Sequence, residues 1–179
     1  RLIATDVGGG FGVKNFMYAE MVLLLWAARI AKRPVKWINS RSDGFVSDHQ
    51  ARDNNAHATL ALDRAGKFLA LRVESWGNLG AYLTGSMARI FTEQFVKLPG
   101  GPYQIPAVHV EVGAVYTNTV PTGVTRGPGF AEFANIMERL IDSAAKETRR
   151  DPAELRRQNL IAATPHTNAV GAVIDSGRF

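Results

Sequence analysis

A glycine-rich stretch near the beginning of the chain has the residue types that bind anionic or oxo groups. Positions 8–12 are all glycine except for Phe11, and Lys14 follows shortly after them. Because glycine lacks a Cβ atom, such a loop can adopt positive φ angles and bring backbone N–H groups against a ligand. The sequence therefore predicts a binding loop, and a tight turn without any ligand is the alternative.

A second loop, residues 117–129, carries a positive charge among its glycines. Arg126 is followed by Gly127 and Gly129. Its guanidinium would present a planar fork of donors that fits phosphate or carboxylate, whereas a salt bridge that pins the loop is the alternative role. If both loops converge on one cleft, their N–H groups and Arg126 would form a single ligand site.

Other kinds of site receive less support from the residues. Val13 occupies the last glycine position of G-x-G-x-x-G, and no G-x-x-x-x-G-K-[ST] occurs, so a nicotinamide or ATP site is weakly supported. The 4 histidines have no spacing typical of metal ligands, and the chain contains no Cys. No Ser–His–Asp or Cys–His constellation can be read. We therefore assign no metal ligand and no catalytic residue.

The composition is that of a globular chain with a mild positive charge. Its 179 residues are 46% hydrophobic, and 21 Lys+Arg against 16 Asp+Glu give a net charge of +5. This length suits one domain or two small ones. The basic residues are dispersed, so nucleic-acid binding is weakly supported, and no run is long enough to cross a membrane. The basic cluster is interpreted as a solvated face, with partner contact as the alternative: Arg149, Arg150, Arg156 and Arg157.

The elements predicted around the first loop are a strand at residues 2–7 and a helix at 16–32. That helix is apolar on most faces, so a larger body is expected to cover it. Residues 35–38 are predicted to form a brief strand, and residues 40–53 are predicted to be irregular. The order strand, glycine loop, helix would then occur twice, at 2–32 and at 108–148.

The remaining elements follow from periodicity and turn chemistry. Residues 55–62 and 67–75 predict a β-hairpin, with a bulge near residues 77–80, and residues 108–116 predict a strand. Residues 87–98 and 131–148 predict helices, the latter from a stripe of apolar residues at the i, i+3, i+4, i+7 spacing. Glu132 at the start of the latter helix is interpreted as a cap or as support for the loop. Asp151 and Pro152 predict the start of a short helix that ends near Asn159.

The order of these motifs resembles the molybdenum-cofactor-binding part of the xanthine dehydrogenase/aldehyde oxidase family. The motifs are G-G-G-F-G-x-K at 8–14, R-P-V-K at 33–36, G-A-Y at 80–82, G-P-Y-x-I-P at 101–106, T-N at 117–118, R-G-x-G at 126–129, E-R-x-I-D at 138–142 and D-P-x-E-L-R-x-x-N-L at 151–160. The resemblance implies an α+β fold in which a two-layer mixed sheet is packed with helices. Residues 1–161 would belong to a molybdenum cofactor-binding domain, and residues 162–179 would be an irregular connector to a downstream region.

The resemblance also implies a reaction and a cofactor. The parent enzyme would hydroxylate a carbon of an aldehyde or N-heterocycle with oxygen from water. Its cofactor would be a molybdenum–pterin dithiolene, as the plain pterin or the cytosine dinucleotide, whose own sulfurs hold the metal. Electrons would leave through Fe–S clusters and a flavin or another acceptor on other domains or subunits. The expected partners are the remainder of the same polypeptide, Fe–S and FAD subunits and a small-molecule substrate, without nucleic acid or membrane.

Site residues are implied by the same resemblance. The cofactor-binding residues would be Gly9, Gly10, Phe11, Gly12, Arg126, Gly127 and Gly129. The first loop would direct N–H groups at the oxo ligand and the pterin, and the second loop would line the opposite wall. Asn15 and Pro128 would line the substrate pocket.

Departures from the family pattern narrow the implied substrate. Purine-hydroxylating members have a glutamate where this chain has Asn15, an arginine where it has Gln94 and an aromatic residue where it has Pro128. Members that oxidise carbon monoxide carry a cysteine in the second loop, which is absent here. An aldehyde or another N-heterocycle remains. The family's catalytic glutamate would lie beyond Phe179, so no catalytic residue is assigned.

A non-enzymatic alternative uses the same residues. An autonomous module could bind an anion or a partner through the two loops and the basic face at 149–157. The chain opens in a strand-like run without an initiator methionine and closes on a connector-like segment at 175–179. We therefore expect a longer polypeptide and no enzymatic activity from this stretch alone.

Overall fold

A three-stranded mixed sheet forms the centre of the molecule. The computed structural model describes residues 3–85 and 89–179. Within them, β1 (Asn54–Leu62) pairs antiparallel with β2 (Phe68–Gly80), and β2 pairs in parallel with β3 (Ala107–Tyr116). The predicted α+β architecture with a mixed sheet is confirmed.

The predicted hairpin is formed by β1 and β2. Buried Leu71 and Val73 alternate with exposed Arg72, as a strand with one covered face requires. The turn between the strands closes where the Lys67 N–H donates to the Asp63 carboxylate at 2.8 Å. Strand β2 runs on to residue 80, where its register with β3 shifts, so the irregularity predicted near residues 77–80 lies inside the strand.

One long amphipathic helix covers the sheet. Helix α3 (Phe130–Thr148) packs beside β1 and buries the predicted stripe of apolar residues. The buried core consists of Phe68, Leu71, Val73, Phe95, Tyr103, Ile105, Phe133, Met137, Ile141, Ala145 and Leu155. Sheet and helix therefore make the two layers that the sequence predicted.

A short helix, α4 (Pro152–Arg157), follows and begins where predicted. The Asp151 carboxylate caps it by accepting from the Ala153 and Glu154 N–H groups at 2.8 and 2.9 Å. Just beyond this helix, Asn159 is 2% exposed, and its side chain forms hydrogen bonds with the β1–β2 hairpin. Its Oδ1 accepts from the Phe68 N–H at 2.9 Å, and its Nδ2 donates to the Gly66 and Leu155 carbonyls.

Arg156 joins the two helices and is not simply part of a solvated face. Its Nε donates to Glu138 Oε2 at 2.7 Å, and its Nη1 lies 2.9 Å from Asp142 Oδ1. The Tyr103 hydroxyl donates to the other oxygen of Glu138 at 2.8 Å. Burial and this carboxylate raise the pKa of Tyr103 to about 12. The E-R-x-I-D and D-P-x-E-L-R motifs therefore supply structural contacts.

Two predicted strands are wrong. Residues 3–7 and 35–38 contain no strand in the structure, and no neighbouring chain segment pairs with them in the described ranges; residue 2 lies outside those ranges. Of the two predicted occurrences of the order strand, loop, helix, the described residues therefore contain the one at 108–148. A strand needs a hydrogen-bonded neighbour, which a local apolar pattern cannot supply.

Helix α1 (Ala19–Ala31) confirms the predicted helix, but with a later start. No residue of it is buried, and Leu25, Trp26 and Ile30 are 76%, 61% and 63% exposed. Helix α2 (Arg41–Ser47) lies in the segment predicted to be irregular, which corrects that prediction. It is capped by Ser40, whose Oγ accepts from the Asp43 N–H at 3.1 Å.

The remaining segments are short. Of the helix predicted at 87–98, residues 87 and 88 lie outside the described ranges, and the rest forms a π-helical turn, Ile90–Gln94, followed by the 3₁₀ turn Phe95–Lys97. The final residues contain β4 (His166–Thr167) and β5 (Val173–Ile174), paired antiparallel. Across the described ranges, every helix is too short or too polar to span a bilayer.

Candidate functional site

The two glycine-rich loops touch each other. The Arg126 N–H donates to the Phe11 carbonyl oxygen at 3.0 Å. Gly12 lies at φ +91°, and a Cβ atom there would fall 2.7 Å from the Val124 carbonyl oxygen. Glycine is thus required at position 12 both by its backbone conformation and by the close approach. The predicted convergence of the two loops occurs through direct contact.

The first loop leaves several backbone donors unpaired. Its own turn is closed by the Lys14 N–H on the Gly10 carbonyl (3.3 Å) and the Asn15 N–H on the Gly12 carbonyl (3.0 Å). Among the described residues, the N–H groups at positions 9–12 find no acceptor. Gly9 and Phe11 both have positive φ, at 102° and 50°. A run of free N–H groups in such a turn suits an anionic or oxo group.

The second loop is built in a similar way. Gly127 and Gly129 lie at φ +77° and +82°, and Pro128 between them is half-buried. The Gly127 carbonyl accepts from the Ala131 N–H at 3.1 Å, so the loop leads directly into α3. The Arg126 side chain is exposed and forms no ion pair within the described part of the chain. The salt-bridge alternative for Arg126 is therefore not what the structure shows.

The predicted substrate-pocket residues lie on the two loops. Asn15 is exposed on the 3₁₀ turn Val13–Asn15 that ends the first loop, and Pro128 is in the second loop. Gln94 packs beside the second loop, because a Cβ atom on Gly129 would lie 3.9 Å from the Gln94 Cβ.

Lys14, which follows the glycines of the first loop, forms an ion pair with Asp48. Its Nζ lies 2.9 and 2.7 Å from the two Asp48 carboxylate oxygens and 5.4 Å from the centre of the Tyr18 ring. Since its charge is already balanced, Lys14 acts as an anchor for the loop. The ion pair ties the loop to the segment after α2.

An aromatic cluster of Phe16, Tyr18 and His49 packs against the second loop. His49 stacks on Tyr18 and meets Phe16 edge-on, with both pairs of ring centres 4.9 Å apart. A Cβ atom on Gly123 would fall 2.5 Å from the His49 Cβ, so the loop lies directly on this ring. Burial lowers the pKa of His49, an effect that the Asp48 charge opposes. Burial of the ring therefore favours the neutral imidazole.

Arg52 has a role in the second loop that no sequence pattern indicated. Its Nη2 donates to the Thr125 carbonyl at 2.9 Å and also to the Arg126 carbonyl. Arg52 has a left-handed backbone, at φ +64°. A single arginine in a polar segment carries no pattern that would reveal this contact.

Glu132 lies in the first turn of α3, as predicted. Its Oε2 is buried without a described partner, and so is Oδ1 of Asn54. Both residues line a cavity of about 500 Å³, together with Arg52 and Arg139. Within residues 3–85 and 89–179, no group of three or more His, Cys, Asp or Glu side chains is placed to hold a metal.

These features define one class of site. Free backbone donors from two glycine loops, beside an exposed guanidinium, form a cradle for an anionic or oxo-bearing group. The same donor set fits a molybdenum–pterin cofactor, because that group carries oxygen acceptors and brings sulfur ligands for its own metal.

Comparison with known sequences agrees with that class. Residues 1–160 match the molybdopterin cofactor-binding domain family, and the chain belongs to that family. It is 35% identical over 163 residues to the 6-hydroxypseudooxynicotine dehydrogenase complex subunit gamma of Paenarthrobacter nicotinovorans, covering 91% of this chain and 20% of that protein. It is 34% identical over 183 residues to the carbon monoxide dehydrogenase large chain of Hydrogenophaga pseudoflava, covering 100% of this chain and 23% of that protein.

A solved structure agrees in fold. The crystal structure of quinoline 2-oxidoreductase from Pseudomonas putida 86 superposes with a TM-score of 0.84 at 36% identity, over 96% of this chain and 22% of that one. The resemblance to molybdopterin-binding large subunits is thereby confirmed. The chain spans only 20% to 23% of the length of these relatives.

Proposed function

We propose that this chain lines the molybdopterin site in the large subunit of a molybdenum hydroxylase that acts on an aldehyde or N-heterocycle with water-derived oxygen. The observation that carries the proposal is the hydrogen bond from the Arg126 N–H to the Phe11 carbonyl, which merges two loops of free backbone donors into one surface. Membership of the cofactor-binding family supplies the identity of the ligand.

The roles of the chain's residues follow from their donors. The N–H groups of Gly9, Gly10, Phe11 and Gly12, together with those of Gly127 and Gly129, would donate to oxygen acceptors of the cofactor. Arg126 would add a charged donor for an anionic group. When bound, the cofactor supplies the redox chemistry that transfers water-derived oxygen to a substrate carbon. Because the glycine turns already hold the donors in place, binding requires little reorganisation of the loops.

The substrate class is proposed from the departures at the pocket. Asn15 and Pro128 replace the glutamate and the aromatic residue of purine-hydroxylating members, which disfavours xanthine. The chain has no Cys, which disfavours carbon monoxide in spite of the related large chain. The names of two relatives contain pseudooxynicotine and quinoline, and this supports an N-heterocycle or a related aromatic compound. An aldehyde remains the second candidate.

The partners are proposed from exposed apolar surface. Helix α1 exposes Leu23, Leu25 and Trp26 by 56%, 76% and 61%, and soluble proteins seldom leave such a stripe uncovered. Since the relatives are several times longer, we propose that the remainder of the same polypeptide covers α1. Subunits with Fe–S and FAD would accept the electrons. We further propose residues 1–161 as the domain portion, 162–179 as the connector, and the cytosine dinucleotide as one form of the cofactor.

The alternative of an autonomous binding module is not favoured by the comparisons. The relatives that match this chain are named as subunits of oxidoreductases. Much of the basic face is also occupied by internal contacts, since Arg156 pairs with Glu138 and Arg157 pairs with Glu154.

The test uses the full-length protein. Molybdenum would be measured by elemental mass spectrometry and the pterin by fluorescence after oxidation, and turnover would be assayed with quinoline, benzaldehyde, xanthine and carbon monoxide in ¹⁸O-labelled water. We expect stoichiometric metal and pterin, and ¹⁸O in the product of an N-heterocycle or aldehyde. A protein purified from cells that make the cofactor, yet free of pterin and inert to all four substrates, would overturn the proposal.

A further inference from the structure

Arg52 contacts the second loop at the two peptides that precede Gly127. Its Nη2 donates to the Thr125 carbonyl at 2.9 Å and to the Arg126 carbonyl, from a position 73 and 74 residues away in the chain. The donor is a guanidinium, so these are charge-assisted hydrogen bonds. Among the described residues, these are the hydrogen bonds that the two carbonyls accept.

The segment that carries Arg52 is itself held in place. On one side, the Gln50 N–H donates to the Pro121 carbonyl at 3.3 Å, and the Gln50 carbonyl accepts from Gly123 at 2.6 Å. On the other side, the Asp53 carbonyl accepts from the Asn78 N–H at 2.9 Å, at the end of β2. Arg52 therefore reaches the loop from a backbone anchored at both neighbours.

Because the peptide bond is planar, fixing the Thr125 and Arg126 carbonyls also fixes the direction of the N–H group in each of the two peptides. In a trans peptide the C=O and the following N–H point in opposite directions. The peptides joining Thr125, Arg126 and Gly127 are trans, because the one cis bond in the described ranges precedes Pro165. A carbonyl of Arg126 turned toward Arg52 thus turns the Gly127 N–H away from it. The Thr125 carbonyl also points toward Arg52, so the Arg126 N–H in the same peptide points away from Arg52. This N–H donates to the Phe11 carbonyl oxygen, with 3.0 Å between nitrogen and oxygen.

The same geometry passes to the first loop. The Phe11 carbonyl is held by the Arg126 N–H, so the N–H of Gly12 in the same peptide points to the other side. We propose that Arg52 is a positioning residue that sets the direction of the Gly127 and Gly12 N–H donors through three planar peptides, without touching the cofactor itself. The identity of the ligand in this inference rests on the proposed function, whereas the direction of the N–H donors rests on the hydrogen bonds alone.

The test compares Arg52→Ala and Arg52→Lys with Arg139→Ala in the full-length protein. Arg139 lines the same cavity but makes no described bond to either loop, so it controls for loss of charge. Lysine keeps the charge and most of the stem, but lacks the planar fork, and it serves if the alanine variant does not fold. Hydrogen exchange of the cofactor-free protein and bound pterin after purification are both measured.

We expect both Arg52 variants to exchange the Arg126 amide at least about tenfold faster, as for the loss of a charge-assisted hydrogen bond, with hairpin exchange unchanged. Bound pterin should fall by about tenfold, the effect typical of residues that orient ligand-holding groups, while Arg139→Ala keeps its pterin. Faster exchange throughout the sheet would indicate a merely structural role and overturn the inference. Unchanged exchange and pterin would also overturn it, with the proposed function intact. Faster loop exchange in a protein that never contains pterin would uphold the geometry and refute the proposed function.

Discussion

The Arg126 backbone nitrogen lies 3.0 Å from the Phe11 carbonyl oxygen, and this contact makes a single surface of two loops that are far apart in sequence. The sequence predicted that the two loops converge on one cleft, and the structure brings them into direct contact, with free N–H groups on both. A ligand held by both loops would therefore lie along their seam.

Replacing Gly12 tests the close approach at that seam. Gly12→Ala should lower the free energy of unfolding by about 2 kcal/mol, because alanine is strained at positive φ and its Cβ would overlap Val124. Bound pterin should fall as well. The control is Gly8→Ala, since a Cβ at Gly8 meets nothing within 4 Å. Thermal unfolding and pterin fluorescence measure both effects, and equal behaviour of the two variants would contradict the steric argument.

Replacing Arg126 tests its role as a ligand. Its side chain is exposed and forms no described ion pair, so Arg126→Ala should change the free energy of unfolding by about 0.5 kcal/mol or less. Pterin should nevertheless be lost faster on dialysis. Arg64→Ala, in the hairpin turn at the other end of β2, is the matched control. A large drop in the melting temperature would show that Arg126 stabilises the fold instead.

His49 should make stability depend on pH. Burial lowers its pKa in the folded protein, so the unfolded state binds the proton more readily. Stability is then full above the unfolded pKa of about 6.5 and is lost as pH falls through it, by at most about 1.4 kcal/mol per pH unit. Urea unfolding between pH 7.5 and 5.5 should show a smaller slope for His49→Asn than for the wild type. Equal slopes for His49→Asn and the wild type would contradict the assignment to His49.

Asn159 should be intolerant of a nearly isosteric change. Its Nδ2 donates to the Gly66 and Leu155 carbonyls in a site that is 2% exposed. Asn159→Asp would place a carboxylate against both carbonyl oxygens and should cost about 3 kcal/mol or more in the free energy of unfolding. Asn55→Asp, on the exposed side of β1, should be nearly neutral. A comparison of urea midpoints would decide, and similar values would refute the buried network as the cause.

Local sequence signals predicted the elements whose partners are close in sequence. The hairpin, the stripe on α3 and the Asp151 cap need only neighbouring residues, and all three are confirmed. Helix α2 was missed although Ser40 and Asp43 form its capping signal three residues apart. The strands predicted at 2–7 and 35–38 failed because pairing depends on a distant neighbour, which apolar residues alone do not specify.

The candidate site was predictable in part for the same reason. Glycine spacing indicated which backbone stretches could offer free donors, and the structure brings those stretches together. Arg52 could not be found, because its contact depends on a left-handed backbone at φ +64° and on a loop 73 residues further along. Glu132 was correctly placed at the start of its helix, but its unpartnered Oε2 could be seen only in three dimensions.

The hydrogen bonds from Arg52 to Thr125 and from Arg126 to Phe11 determine when during synthesis the two loops can come together. During translation residue 11 is synthesised first, then residue 52 and finally residue 126. Neither hydrogen bond can form before the second loop has been synthesised. The β1–β2 hairpin can close during translation, since its contacts are local, whereas the cradle must await the return of the chain after β3. A ligand that needs both loops can therefore bind only after the second loop has been synthesised.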